Sequence, residues 1–304
     1  MAKLGLLYGQ INADETSLLP TSTASPAAPP RSMLFVSGEK PERFVKAMAA
    51  GADLVCIDLE DAVAPARKEA ARADALHWLA QRSAGPAQPA VALRLNAVRT
   101  LEGLRDVLAL AQAATMPDWI LLPKVEAAAD VQCIHAWLGA RCPSLVALLE
   151  TPGSIDGAAA IAEAGGPLAA LMLGGADLSA ELGAQFGWDA LLYARARILH
   201  AARAADLQAW DVPHIDLQKP ESLADETRRV LALGFDCKTA IHPQQIPVIH
   251  DAFMPPAERI EWALALRDAL PAEGASGAFM FRGGMVDAPV VRNALRILAR
   301  AGQR

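Results

Sequence analysis

The feature that most constrains this chain is a repeated alternation, beginning at Ser32, of short apolar runs with longer amphipathic ones. The short runs cover residues 33–36, 54–59, 90–95, 119–122, 145–149, 168–173, 207–212 and 238–241. Helical patterns fill the gaps at 42–50, 67–81, 101–114, 127–138, 155–164, 190–204 and 221–233. Short runs without polar alternation suit strands buried on both faces, the mark of a parallel sheet. A helix after each strand builds βαβ units. Eight such units close most naturally into a (β/α)8 TIM barrel of the α/β class. A doubly wound sheet is the competing arrangement, weakened because no G-x-G-x-x-G follows the first run. The length of 304 residues accommodates a barrel of about 250 with additions at its ends.

Those additions read differently from the barrel. Residues 1–30 read as a flexible tail, since 18–30 is rich in Pro, Ser, Thr and Ala and ends in Pro29-Pro30. Residues 31–254 carry the barrel. Pro255-Pro256 opens a further helix to about Ala269, 271–277 reads as a link, and 279–301 holds a short strand-like piece and a helix from Val290. Residues 255–304 are therefore expected to form a C-terminal helical appendage.

Composition removes several classes of function. A net charge of -6 offers no basic stripe for a phosphate backbone, so nucleic acid is not an expected partner. No run of 18 uncharged apolar residues is present, so no membrane span is expected. The apolar run Leu4 to Tyr8 is too short for a signal peptide, and the expected compartment is the cytoplasm. Cys56, Cys133, Cys142 and Cys237 form no C-x-x-C pair and read as reduced thiols.

In a barrel, catalytic groups gather at the C-terminal ends of the strands. Here those ends carry Asp58, Glu60 and Asp61, then Arg94 and Asn96, then Lys124 and Glu126. Glu150, Asp177, Asp211, Lys238 and His242 follow. Several carboxylates with Arg and Lys suit a hard, oxygen-ligated cation and an anionic substrate. Mg²⁺ is commonly held by one or two carboxylates, with water and substrate oxygens completing its shell. Glu150 and Asp177, on adjacent strands, are the obvious pair; helix capping is the structural alternative for Asp177. Glu60 and Asp61 are adjacent and cannot both face inward on an extended segment, which favours Glu60.

The residues at these ends resemble the citrate lyase beta-subunit-like group of the HpcH/HpaI aldolase superfamily, which includes malyl-CoA and citramalyl-CoA lyases. The matching pieces run in order. They are Arg31-Ser32-Met33-Leu34-Phe35-Val36-Ser37-Gly38, Cys56-Ile57-Asp58-Leu59-Glu60-Asp61, Leu93-Arg94-Leu95-Asn96 and Leu122-Pro123-Lys124-Val125-Glu126. Leu149-Glu150-Thr151-Pro152-Gly153, Gly174-Gly175-Ala176-Asp177-Leu178, Ala240-Ile241-His242-Pro243 and Met285-Val286-Asp287-Ala288-Pro289 complete them.

The resemblance implies Mg²⁺, with Mn²⁺ as a substitute, and coenzyme A as part of the substrate. It implies a homo-oligomer, a trimer, whose partners are an acyl-CoA and a small 2-oxo acid. It places the metal on Glu150 and Asp177, and the 2-oxo acid or its oxyanion on Arg94. Asp287 becomes an acid/base presented to a neighbouring subunit, and Arg31 and Lys40 become contacts to the CoA phosphates. Lys124 is expected to orient a carboxylate or pair with Glu150, and Glu60 to act in catalysis. Ala176 departs from the acidic residue that many members carry before the metal-binding Asp.

The implied reaction is cleavage of citramalyl-CoA to acetyl-CoA and pyruvate, or of malyl-CoA to acetyl-CoA and glyoxylate. Alternatives are a citryl-CoA or citryl-carrier lyase subunit, a malate synthase or malyl-CoA thioesterase, a CoA-free pyruvate aldolase, and a non-catalytic CoA-binding subunit.

Overall fold

The computed structural model describes residues 29–82, 85, 88–270 and 278–302. The expected tail up to residue 28 and the expected link at 271–277 lie outside the described residues. The chain divides into two compact units, one over 29–252 and one including the residues from 253 onward.

In the first unit eight parallel strands close in sequence order. They are β1 (Ser32–Ser37), β2 (Leu54–Asp58), β3 (Ala90–Arg94), β4 (Trp119–Leu122), β5 (Ser144–Leu149), β6 (Leu168–Leu173), β7 (Gln208–Asp211) and β8 (Cys237–Ala240). β8 returns to β1, with Lys238 opposite Ser32 and Thr239 opposite Met33. The barrel read from the alternation is the fold observed. Its helices are α1 (Phe44–Met48), α2 (Lys68–Gln81), α3 (Leu101–Gln112), α4 (Ala128–Leu138), α5 (Pro152–Asp156), α6 (Ala158–Ala162), α7 (Gly175–Glu181), α8 (Trp188–Ala204), α9 (Pro220–Leu233) and α10 (Gln245–Phe253). The helix read over 155–164 is two pieces, because Gly157 ends α5 and begins α6.

Side chains alternate across each strand, so each strand serves two cores. Met33, Leu54, Cys56, Ala92, Leu121, Val146, Leu148, Ala170, Met172, Trp210 and Cys237 form one cluster that plugs the barrel. The intervening residues, such as Val55, Ile57, Leu93, Ala147 and Leu171, are also buried, and face the helical layer. Burial on both faces explains why the runs read as continuously apolar. All four cysteines are free, and among the described residues no helix is long and apolar enough to cross a membrane.

On the helix-facing side of β7 and β8 the core is ionic. Asp211 and Lys238 are register partners, and neither side chain is exposed to solvent. Asp211 accepts from Lys238 Nζ at 2.7 Å and from Arg195 Nε of α8 at 2.7 Å. Lys238 Nζ also donates to the Val212 carbonyl and to Glu226 of α9. Burial pushes the Asp211 pKa up, but the charges and hydrogen bonds of Lys238 and Arg195 outweigh it and leave the pKa low. The sequence suggested Asp211 and Lys238 as mouth residues; the structure uses them to fasten α8 and α9 to the sheet.

The second unit contains α11 (Ala257–Asp268), an antiparallel hairpin of β9 (Phe279–Phe281) and β10 (Gly284–Val286), and α12 (Ala288–Arg300). Val291, Ala294 and Leu298 recur at helical spacing and bury one face of α12 among Ala263, Leu266 and Val286.

Breaking a buried ion pair from one side strands the other charge, which costs about 3–5 kcal/mol. Asp211→Ala, which removes the carboxylate shared by two buried cations and leaves them only Glu226, is expected to lower the unfolding free energy by about that amount in urea denaturation. A loss below about 1 kcal/mol, the scale of an exposed pair, would show that the network does not hold the helices.

Candidate active site

Past the apolar plug, the inward-facing register of four strands reaches a polar residue or a glycine. Two residues beyond Cys56, Ala92, Leu148 and Met172 of the plug stand Asp58, Arg94, Glu150 and Gly174. Strand alternation keeps each on the same face as its plug residue. The C-terminal rim of β2, β3, β5 and β6 thus gathers one patch.

Glu150, immediately after β5, is 3% exposed. Gly174 makes room for it: a Cβ there would lie 2.1 Å from Glu150 Cγ and 2.6 Å from Oε1. Glu150 Oε2 accepts a hydrogen bond from the Lys124 backbone N–H at 3.0 Å. Burial first, then the charges of Glu60 and Asp177, push the Glu150 pKa up to about 8, against the opposing pull of Arg94 and Lys124.

Asp177 lies in the first turn of α7, and Gly174 takes the capping position. The capping alternative therefore does not describe Asp177. Its Oδ2 lies 3.6 Å from Lys124 Nζ. The same ammonium donates to Glu60 Oε1 at 2.6 Å and lies 3.7 Å from Asp61 Oδ1. Burial and the hydrogen bond to Glu60 pull the Lys124 pKa in opposite directions, and the surrounding carboxylates leave it raised. Lys124 pairs with Glu150 through its backbone rather than its side chain, an arrangement that spacing alone does not reveal.

Arg94 is clamped by Asp58. Nε donates to Oδ1 at 2.7 Å and Nη2 to Oδ2 at 2.6 Å. Asp58 also accepts from the backbone N–H groups of Glu60 and Ala62, so one carboxylate sets the guanidinium and the loop after β2. Nη1 remains, 3.1 Å from Glu60 Oε2 and 3.3 Å from Asp61 Oδ2. Glu60 Oε2 is buried and accepts no hydrogen bond, and burial raises the Glu60 pKa although Arg94 and Lys124 oppose this. Asp58 was legible as a strand-end carboxylate, but its clamping role was not. Asp61, set aside by the alternation argument, still reaches both cations from the loop.

The other expected residues stand on other elements. Arg31 stands at the N-terminal end of β1, the opposite end of the barrel, where Asp53 accepts from its backbone N, Nε and Nη2 at 2.7–3.0 Å. Arg31, expected as a CoA contact, thus spends its hydrogen bonds on Asp53 before β1 begins. Lys40 follows the C-terminal end of β1 and is exposed. Asp287 belongs to the C-terminal unit and caps α12 by accepting from the Val290 N–H at 3.2 Å. Ala176 is exposed on α7.

Glu60, Asp61, Glu150 and Asp177 outnumber the cations beside them, and Arg94 is already matched by Asp58. A divalent cation fits this donor set: all its atoms are hard oxygens, and a second positive charge would relieve the repulsion carried by Glu150. Among the described residues no three His, Cys, Asp or Glu side chains converge as a ready-made metal cage.

Fold and patch together define a barrel with an acidic, cation-accepting mouth. Residues 31–243 match the HpcH/HpaI aldolase/citrate lyase family, and the chain belongs to that family. It is 40% identical over 277 residues to a citrate lyase subunit beta-like protein of Mycobacterium tuberculosis, covering 89% of this chain and 95% of the relative. The mitochondrial citramalyl-CoA lyase of Homo sapiens is 31% identical over 88% of this chain and 84% of its own. The L-malyl-CoA/beta-methylmalyl-CoA lyase of Cereibacter sphaeroides is 32% identical over 91% and 96%. A crystal structure of CitE from M. tuberculosis with magnesium, acetoacetate and coenzyme A superposes with a TM-score of 0.74 at 38% identity, covering 91% of this chain and 99% of that one.

The raised Glu150 pKa carries a definite sign. Between the ordinary carboxyl value of 4.5 and about 8, the folded state holds a proton that the unfolded state releases. Stability of the metal-free protein therefore falls as pH rises through that window. Glu150→Gln removes this contribution. Thermal unfolding in EDTA is expected to show wild type losing Tm relative to the variant from pH 5 to pH 8, and parallel curves would contradict the shift.

Proposed function

We propose that this chain is a Mg²⁺-dependent carbon–carbon lyase of 3-hydroxyacyl-CoA thioesters. Citramalyl-CoA, giving acetyl-CoA and pyruvate, is its first candidate substrate. Malyl-CoA, giving acetyl-CoA and glyoxylate, is the second. The observation that carries this reading is the meeting of Glu150 and Asp177 on one residue, Lys124, at the barrel mouth. Relatives named as citramalyl-CoA and malyl-CoA lyases, and a solved relative holding magnesium and coenzyme A, support it.

Glu150 and Asp177 would hold the cation. When bound, it supplies positive charge that neutralises the 2-oxo acid carboxylate and lowers the proton affinity of the hydroxyl oxygen. The remaining work falls to the chain itself. Arg94, fixed by Asp58, turns Nη1 toward the Glu60 and Asp61 carboxylates, where it balances charge that develops on the substrate oxygen. Because the clamp sets its orientation beforehand, little reorganisation is needed during reaction. Glu60 offers Oε2, which accepts no hydrogen bond and faces Arg94 Nη1 at 3.1 Å, and a raised proton affinity, which suit it to take the hydroxyl proton. The carbon–carbon bond then breaks as the hydroxyl carbon becomes a carbonyl, and the electron pair passes to the enolate of acetyl-CoA. Asp287 of a neighbouring copy, in a trimer, protonates the enolate carbon. Lys40, exposed just past β1, is assigned with Arg31 as a basic contact for the CoA phosphates.

Incubation with citramalyl-CoA and malyl-CoA, with products resolved as acetyl-CoA, free thiol and 2-oxo acid, tests this reading. Equal amounts of acetyl-CoA and 2-oxo acid are expected; free thiol without 2-oxo acid would mark a thioesterase instead. EDTA is expected to stop turnover and Mg²⁺ to restore it. Asp287→Asn is expected to lose at least a hundredfold in turnover, within the usual range for an acid/base group, while CoA binding persists. Normal turnover in that variant would remove Asp287 from the mechanism.

A further inference from the structure

Lys124 is held at both ends by carboxylates. Its backbone N–H donates to Glu150 Oε2, and its Nζ sits among Glu60, Asp61 and Asp177. Its φ of 52° lies in the left-handed region, which residues with a side chain seldom adopt. Such a conformation persists when surrounding contacts impose it, and here the two ends of Lys124 supply those contacts. The ammonium stands within reach of one of the two carboxylates assigned to the cation, and its grip is unequal. The contact to Glu60 is a 2.6 Å hydrogen bond, whereas that to Asp177 is a looser 3.6 Å approach. Asp177 can therefore be released at small cost while Glu60 stays paired.

We propose that the Lys124 ammonium is the built-in counter-ion of this site. It yields Asp177 to an incoming divalent cation, keeps Glu60, and so sets how tightly the site binds metal. The inference rests on the assignment of Glu150 and Asp177 as metal ligands. It makes Lys124 a positioning residue: it orders the carboxylates before the cation arrives and opposes the cation's charge afterwards.

Isothermal titration of the full chain with MgCl₂, on wild type, Lys124→Met and Lys124→Arg, tests this. Methionine keeps the unbranched side chain and removes the charge. Lys124→Met is expected to bind Mg²⁺ at least about tenfold more tightly, since an adjacent charge interacts by kcal/mol amounts at a partly exposed site and tenfold is 1.4 kcal/mol. Lys124→Arg is expected to stay within about threefold of wild type. The metal-free Lys124→Met protein is expected to melt below wild type, and saturating Mg²⁺ to close that gap. A damaged fold cannot mimic tighter binding. Equal or weaker Mg²⁺ binding by Lys124→Met, with wild-type binding intact, would overturn the counter-ion role and leave the metal assignment standing. Absence of binding in all three proteins would overturn both.

Discussion

The buried Glu150 carboxyl, pressed against the Gly174 backbone beside the charges of Glu60 and Asp177, is the constraint from which the rest of the site follows. A carboxylate without solvent must find a cation or keep its proton. The barrel prevents it from escaping, because the residues beneath it are a close-packed apolar plug of Val146, Leu148, Ala170 and Met172. Lys124 balances part of the charge, and the remaining imbalance is what a divalent cation would satisfy. Arg94 cannot fill that role because Asp58 already holds it.

Each strand separates stability from chemistry by alternation. On β2, Cys56 belongs to the plug and Asp58 carries that face to the rim, while Ile57 faces the helices. On β7 the helix-facing position is Asp211, and the charges it meets from α8 and β8 lock the outer layer. Two acidic residues at two strand ends, Asp58 and Asp211, thus do different work because their faces differ. Asp58 fixes a guanidinium at the mouth, and Asp211 ties secondary structure together underneath the helices.

This parity also explains what the sequence did and did not disclose. Eight apolar runs at βαβ spacing were enough for the barrel, since burial on both faces leaves so plain a trace. Glu150, Asp177, Arg94 and Lys124 could be named as candidates because each lies at the end of an apolar run or within four residues of it. The Asp58 clamp on Arg94 was missed, because which of several strand-end carboxylates meets a guanidinium depends on register between strands. The pairing of Arg31 with Asp53 was hidden for a related reason: its motif is contiguous with β1, but it stands before the strand rather than after it. The division of the 155–164 helix at Gly157 needed the local backbone, and the left-handed Lys124 backbone could be seen only once Glu150 was in place.

The central claim is that Glu150 and Asp177 share one divalent cation. A crystal structure of the protein with MnCl₂, examined for anomalous scattering at the manganese edge, tests it most directly. One peak within ligating distance of a carboxylate oxygen of each residue, with Lys124 Nζ drawn back from Asp177, is the expected result. A peak elsewhere, or well-ordered Glu150 and Asp177 side chains with no peak between them at saturating manganese, would contradict the account.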